Sequence, residues 1–241
     1  MKLIDKILYY ISVPKCVACG ERLSAEDTCL CADCLSDYRE HCNRNCSSCA
    51  KVLSACGCTN EYLDAHLVHR LAKVFRYTPD HTNTASRLIY SLKRDNDRRV
   101  LEFLSDELAL AIKNSIPSPE DYIFTSVPRR RSAKVKYGID HAALLSAKTA
   151  EKLGAEHRVL LVSKSKHAQK SAGGIENRIK NIDIRLKREG CDLSGKRVII
   201  IDDIVTTGAS MACAAIALKG AGAKSITGAA LAIAYKDNRV I

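Results

Sequence analysis

The chain has 241 residues, 46% of them hydrophobic, a formal net charge of +11, no Trp and twelve Cys. That length supports one substantial core plus a small extra module, and the apolar content excludes a disordered chain. No apolar run approaches the ~18 residues of a membrane-spanning helix, so membrane insertion is not expected, while the basic balance suits an anionic partner, a nucleic acid or a polyphosphate.

In chain order, Leu3, Ile4, Ile7, Leu8 and Ile11 share one helical face. Asp5 and Lys6 interrupt the apolar run and no small-residue cleavage site follows, so this is not read as an export signal. The expected compartment is the cytoplasm, where thiols stay reduced. Ten of the twelve Cys fall between Cys16 and Cys58. Cys16/Cys19 and Cys31/Cys34 are two CxxC pairs eleven residues apart, a spacing that suits a tetrahedral structural zinc site. Disulfides are the alternative, disfavoured by the expected compartment. Cys46/Cys49 with Cys56/Cys58 form a second, less regular set, in which Cys42 is an alternative ligand. Cys29 is spare, and Cys191 and Cys213 read as small buried residues. With few large aliphatic side chains, residues 1–62 need such staples to fold, and residues 63–241 read as a separate domain.

Beyond Leu67, Asp80 to Leu92 reads as a helix with Leu88, Ile89 and Leu92 on one side. Asp95 is the expected cap of a longer helix carrying Val100, Leu101, Leu104, Leu108 and Ile112, ended by Pro117 and Pro119. Tyr122 to Val127 is a strand. It opens into Val127, Pro128, Arg129, Arg130 and on to Lys136, with five cations and no acid. Gly138 to Leu153 is a helix closed by Gly154, and Arg158 to Val162 is a strand. Lys164 to Lys180, polar and holding Gly173-Gly174, reads as a mobile loop that suits a lid. His167 in that loop is read as merely exposed. Val198 to Ile201 is a buried strand, Thr207 to Lys219 a helix and Ser225 to Ile233 a last strand. The alternation predicts an α/β fold, a parallel sheet with helices on both faces.

The richest stretch ends the buried strand with Asp202 and Asp203, then turns through Thr206, Thr207, Gly208, Ala209 and Ser210 into a helix. Helix N-termini offer free N–H groups and a positive dipole end to a phosphate, and hydroxyls add donors. Carboxylates instead accept hydrogen bonds from sugar hydroxyls. Together they describe a site for a ribose 5-phosphate. The alternative, an Asp that only caps the next helix, explains neither the second Asp nor the hydroxyl-rich turn.

These residues resemble the 5-phosphoribosyl 1-pyrophosphate (PRPP) signature of type I phosphoribosyltransferases. The resemblance implies that fold, with Asp202 and Asp203 on the ribose hydroxyls and Thr206 to Ser210 on the 5-phosphate. A Cys-rich double zinc ribbon ahead of such a domain is similar to the ComF family, linked to competence for DNA uptake. Leu88 to Lys93, Val127-Pro128, and Gln169, Arg178 and Asn181 match that family's helix, pyrophosphate loop and lid. The family usually has Arg-Gly-Phe-Asn-Gln after the pyrophosphate loop. Here Tyr137-Gly138-Ile139-Asp140-His141 keeps only Gly138. The resemblance implies Mg²⁺ with PRPP, Val127 to Arg130 on the pyrophosphate, and transfer of ribose 5-phosphate to a nitrogenous acceptor. No residue stands out as a catalytic group. The alternatives are a non-catalytic competence factor that binds single-stranded DNA or a helicase-like partner, and a PRPP sensor. Three Phe and nine Tyr give few stacking platforms for a dedicated single-strand binder.

Overall fold

The structure is a computed structural model and describes residues 13–24, 26–78, 83–94, 97–129, 139–164 and 182–234. The cysteine-rich segment carries α1 (Ala32–Cys42) and a short α2 (Glu61–Ala65). Then follow β1 (Leu71–Arg76), α3 (Thr84–Arg94), α4 (Arg98–Ser115), β2 (Tyr122–Ser126) and α5 (His141–Lys152). The chain continues through β3 (Glu156–His157), β4 (Leu161–Ser163), β5 (Ile184–Leu186), β6 (Arg197–Val205), α6 (Ala209–Gly220) and β7 (Ser225–Ile233). Among the described residues, no helix is long and apolar enough to cross a membrane.

β1-β7-β6-β2-β3 form one sheet, all parallel, and β4 pairs antiparallel with β5 in a separate two-stranded sheet. Both faces of β6 are buried, as a central parallel strand requires. Ile199 and Ile201 pack with Leu88 of α3, Leu104 and Leu108 of α4 and Leu145 of α5. Val198 and Ile200 pack on the other side with Met211, Ala215 and Leu218 of α6. The first layer also contains Cys16, Leu23, Cys29, Leu30, Tyr38 and Cys42, so the cysteine-rich segment and the sheet share one core.

Several sequence expectations change here. β1 has no counterpart in them, although it forms an edge of the main sheet. The single strand expected at 158–162 is replaced by two pieces: β3, just before it, belongs to the main sheet, and β4, which overlaps its end, to the small one. The cap of α4 is Asp97, whose Oδ1 accepts from the Arg99 backbone N–H at 2.9 Å, while Asp95 lies outside the described residues. β6 runs on to Val205, so both aspartates lie within the strand rather than after it. Gly154 does end α5 in the left-handed region (φ +65°), and the Ala155 N–H reaches back to the Ala150 carbonyl.

Candidate functional site

Strict alternation in β6 breaks at the acids. Ile201 and Ile204 both pack on the α4 layer, although three residues apart in an ideal strand they would face opposite ways. The carboxylates fold back on the chain: the Asp203 N–H donates to Asp202 Oδ1 at 2.9 Å and the Ile204 N–H to Asp203 Oδ1 at 2.7 Å. Neither acid caps α6, whose N-cap is Gly208, so the capping alternative falls.

Asp203 is 9% exposed and its Oδ2 meets two cations: Lys93 Nζ, from the end of α3, at 3.1 Å, and the Arg129 guanidinium at 3.4 Å. Arg129 is brought there by the loop after β2, anchored where the Val127 N–H donates to the Ile201 carbonyl at 2.9 Å. The acid pair and the basic loop, 74 residues apart in sequence, therefore meet at the carboxyl ends of adjacent strands, where ligands of open α/β sheets bind. Asp202 lies deep but keeps some accessible surface. Burial pushes its carboxyl well above the usual carboxylate range, and the charge of Asp203 adds to the effect. His141, at the start of α5, is 2% exposed. Burial, helped by the Arg129 charge, lowers its affinity for a proton.

The turn into α6 differs in detail from the sequence expectation. Thr206 is exposed and Ser210 half-buried, but Thr207 is buried and its hydroxyl accepts from the Ala209 N–H at 3.2 Å. Gly208 has φ +86°. Its bare Cα does not wait for a ligand: a Cβ there would lie 2.6 Å from Leu63 Cγ of α2. Asn60, the N-cap of α2, sends its Nδ2 to the Thr207 carbonyl at 3.4 Å. The cysteine-rich segment is thus seated directly on this turn. Arg130, Gln169 and Arg178 lie outside the described residues.

Two sets of four sulfurs gather in that segment: Cys16, Cys19, Cys31, Cys34, and Cys46, Cys49, Cys56, Cys58. Within each set the ligand atoms lie within 4.8 Å of one another. A tetrahedron with Zn–S bonds of about 2.3 Å has edges of about 3.8 Å. The Cys19–Cys31 and Cys49–Cys56 separations of 3.6 and 3.4 Å fit that size. The knuckles repeat each other. The Cys16 N–H donates to the Glu21 carbonyl and that of Gly20 to Cys16, as the Cys46 N–H does to Lys51 and that of Ala50 to Cys46. Burial opposes ionisation of Cys46, but the N–H groups of Ser48 and Cys49 outweigh it and hold the thiol down at about 6. At Cys16 burial is likewise outweighed, by the N–H groups of Cys19, Cys31 and Ala18, giving about 7. A bound metal takes deprotonated thiols; one in each set is held ready near neutral pH, while burial pushes Cys34 well above its ordinary value and Cys58 up to about 12. Cys29 and Cys42, by contrast, are buried outside both sets, and burial pushes each up to about 12.

Residues 138–239 match the phosphoribosyl transferase domain model. The competence protein ComFC of Streptococcus pneumoniae (strain ATCC BAA-255 / R6) is 27% identical over 236 residues, covering 88% of this chain and 96% of that protein. The chain is thus similar, over nearly its whole length, to a ComF protein. Solved structures similar to this chain include a purine phosphoribosyltransferase from Pyrococcus horikoshii Ot3 (22% identity, TM-score 0.35, 55% of this chain and 73% of that one). Another is an adenine phosphoribosyltransferase from Thermoanaerobacter pseudethanolicus (20% identity, TM-score 0.37, 55% and 69%). The chain thus has a phosphoribosyltransferase-like parallel sheet with helices on both faces, behind a cysteine-rich region with two candidate zinc sites.

Sequence reasoning passed over four residues that the fold brings to or near the site. Lys93 stood only in a family-like Leu-Lys helix end, and His141 in the segment where this chain departs from the family pattern. Asn60 had a local signal as a helix cap before Glu61. Leu63 had none, because its contact with Gly208 is purely tertiary.

Proposed function

We infer that the chain binds PRPP, or another phosphorylated ribose, at the carboxyl ends of β2 and β6. The observation that carries this is the meeting of Arg129 and Lys93 on Asp203, beside the turn into α6. The diol of a ribose donates hydrogen bonds to Asp202 and Asp203. The 5-phosphate lies against the turn from Thr206 to Ser210, where the first amides of α6 carry the positive end of the helix dipole. The pyrophosphate draws Arg129 and its loop neighbours through charge-assisted bonds. Without ligand, Asp203 neutralises two cations that otherwise face an anion. The carboxylate pair and the phosphate oxygens are the hard oxygen donors Mg²⁺ takes, and bound there it would neutralise charge on the leaving pyrophosphate. Lys164 to Lys180, including Gln169 and Arg178, is the proposed lid. In this reading the chain transfers ribose 5-phosphate to a nitrogenous acceptor with release of pyrophosphate, in the cytoplasm. Residues 1–62 act as its zinc ribbons and residues 63–241 as its phosphoribosyltransferase-like domain.

Calorimetry with PRPP and Mg²⁺ tests the site. Saturable binding is expected in the wild type and at least a hundredfold loss in Asp202→Asn/Asp203→Asn. Unchanged affinity in that double variant removes the ribose assignment. Pyrophosphate release across a panel of bases then tests transfer, and silence with every base leaves a PRPP-binding sensor or adaptor.

A second reading rests on the charge of +11 and on a cleft lined by Lys51, His69 and Arg70 beside Cys49 and Cys58. Single-stranded DNA or a helicase-like partner would bind this basic face, in keeping with the competence named for the relative. Affinity for a DNA oligomer should then fall steeply with salt, and salt-insensitive or absent binding discards it.

A further inference from the structure

Lys73 is the least expected charge in the molecule. It sits on β1, where it pairs with Ala230 of β7, and is 2% exposed. Among the described residues no carboxylate pairs with it. Its ammonium instead donates to the Cys58 carbonyl at 2.6 Å, the Cys56 carbonyl at 3.2 Å, the Leu71 carbonyl at 3.2 Å and Cys56 Sγ at 3.3 Å. A buried cation persists only where charge or strong acceptors compensate it. Carbonyls supply acceptors but no charge. The sulfur does: four thiolates around a divalent cation carry a net charge of about −2. Lys73 thus meets the requirement of a metal-loaded Cys46–Cys49–Cys56–Cys58 cluster, and that cluster meets the requirement of Lys73. Among the described residues the first cluster has no such buried cation beside it. Its knuckle carbonyls at Lys15 and Ala18 bind Arg99 and Arg87, both in exposed contacts.

The second cluster is also the one next to the phosphate turn. Two residues after Cys58 comes Asn60, 1% exposed, whose side chain accepts from the Leu63 N–H at 2.8 Å and reaches the Thr207 carbonyl. Leu63, fully buried, fills the space over Gly208. The path from sulfur to turn is therefore short and packed throughout.

We propose that the Cys46–Cys58 cluster and the turn at Thr207–Gly208 work as one unit: Lys73 is the positioning cation of the metal-loaded cluster, and Asn60 and Leu63 transmit metal loading to the turn's competence for a phosphate. The second half rests on the ribose-phosphate reading of the turn; the first does not. Metal loss at Cys46, Cys49, Cys56 and Cys58 frees the segment that carries Asn60 and Leu63, and the turn loses its backing.

The test uses the full zinc-loaded chain. Release of zinc to a chromophoric chelator should show two phases, and the phase lost in Cys49→Ser belongs to the second cluster. Lys73→Met should speed that phase at least tenfold, within the 10–100-fold range typical of outer-shell partners, and leave the other unchanged. Lys73→Arg should restore slow release. With Co²⁺ in place of zinc, Lys73→Met should also move the sulfur-to-metal charge-transfer band to lower energy, because Cys56 loses a donor. A packing defect alone would not produce that shift. Wild-type release in both phases, or an unmoved band, overturns the role of Lys73. For the coupling, PRPP with Mg²⁺ is titrated into the wild type, into Asn60→Ala and into chain stripped of the second zinc only. Affinity about tenfold weaker in the last two is expected, and equal affinity overturns the coupling. If the zinc-replete wild type binds no PRPP, the ribose reading falls and takes the coupling with it, while the release and Co²⁺ arms still decide the role of Lys73.

Discussion

At the scale of single residues, the acid pair stores repulsion that a ligand can relieve. Burial, then the charge of Asp203, pushes the Asp202 carboxyl well above the usual carboxylate range. A carboxyl raised in the folded state favours folding in its protonated form. Its contribution is full below the unfolded value, near pH 4, and is lost as pH rises through the raised value. Asp202→Asn keeps the shape and removes the charge. It should therefore raise the Tm by about 2–4 °C at pH 8, what ~1 kcal/mol is worth in a chain of this size, with the gap closing near pH 4. The same variant should lose PRPP binding. Thermal melts at the two pH values, run beside the ligand titration, check this. A variant no more stable than the wild type at pH 8 means the site stores no such cost. Residues kept at a price in stability are those a binding site retains.

Among elements, the paired knuckles show what local sequence conveys and what it does not. The two CxxC pairs, the aspartate pair and the hydroxyl turn are legible because each is a contiguous pattern whose chemistry depends on near neighbours. The second set, with only one residue between Cys56 and Cys58, is less regular in sequence yet gathers its sulfurs as tightly as the first. β1 is hidden because Lys73 and Arg76 interrupt Leu-Ala-Lys-Val-Phe-Arg, and only distant sulfur and carbonyl acceptors make a buried Lys73 tolerable. The expected strand at 158–162 fails because the chain leaves the main sheet within it, and a period-2 pattern does not show which sheet a residue joins. The knuckles also differ at one telling position: Gly20 has φ +81°, and its counterpart Ala50 holds φ +57° with a Cβ. A left-handed non-glycine residue costs roughly 1–2 kcal/mol, partly offset by the greater freedom glycine has in the unfolded chain. Ala50→Gly should therefore stabilise the protein by up to about 1 kcal/mol in denaturant titration with zinc bound, and destabilisation would show that the Ala50 methyl does more than strain the turn.

For the whole molecule, the two modules legible as a change in composition are joined by a continuous core. Tyr38 of α1 is fully buried, packs edge-on against Phe75 and Phe103 at ring centroid distances of 6.0 and 5.1 Å, and donates its hydroxyl to Glu107 at 3.3 Å. The Glu107 carboxylate also takes Arg39 at 2.6 Å. His41 Nε2 lies 2.7 Å from the Arg76 carbonyl at the end of β1, and Asp37 accepts from the Thr84 N–H at the start of α3. α1 thus closes one layer of the sheet, while α2 backs the turn into α6 on the other. Removing residues 1–60 would uncover Phe75, strip α2 of its Asn60 cap and leave Glu107 buried without Tyr38 and Arg39, each a large cost. The full zinc-loaded chain should unfold in one cooperative transition, with thiol accessibility and near-ultraviolet tyrosine dichroism changing at the same denaturant concentration. A strong chelator should lower both midpoints together, and a 61–241 fragment should bind a hydrophobic dye and aggregate. A soluble, monomeric fragment with native dichroism, or two separated transitions, would mean that the cysteine-rich segment is an appendage and that the site at Asp202, Asp203 and Gly208 stands without it.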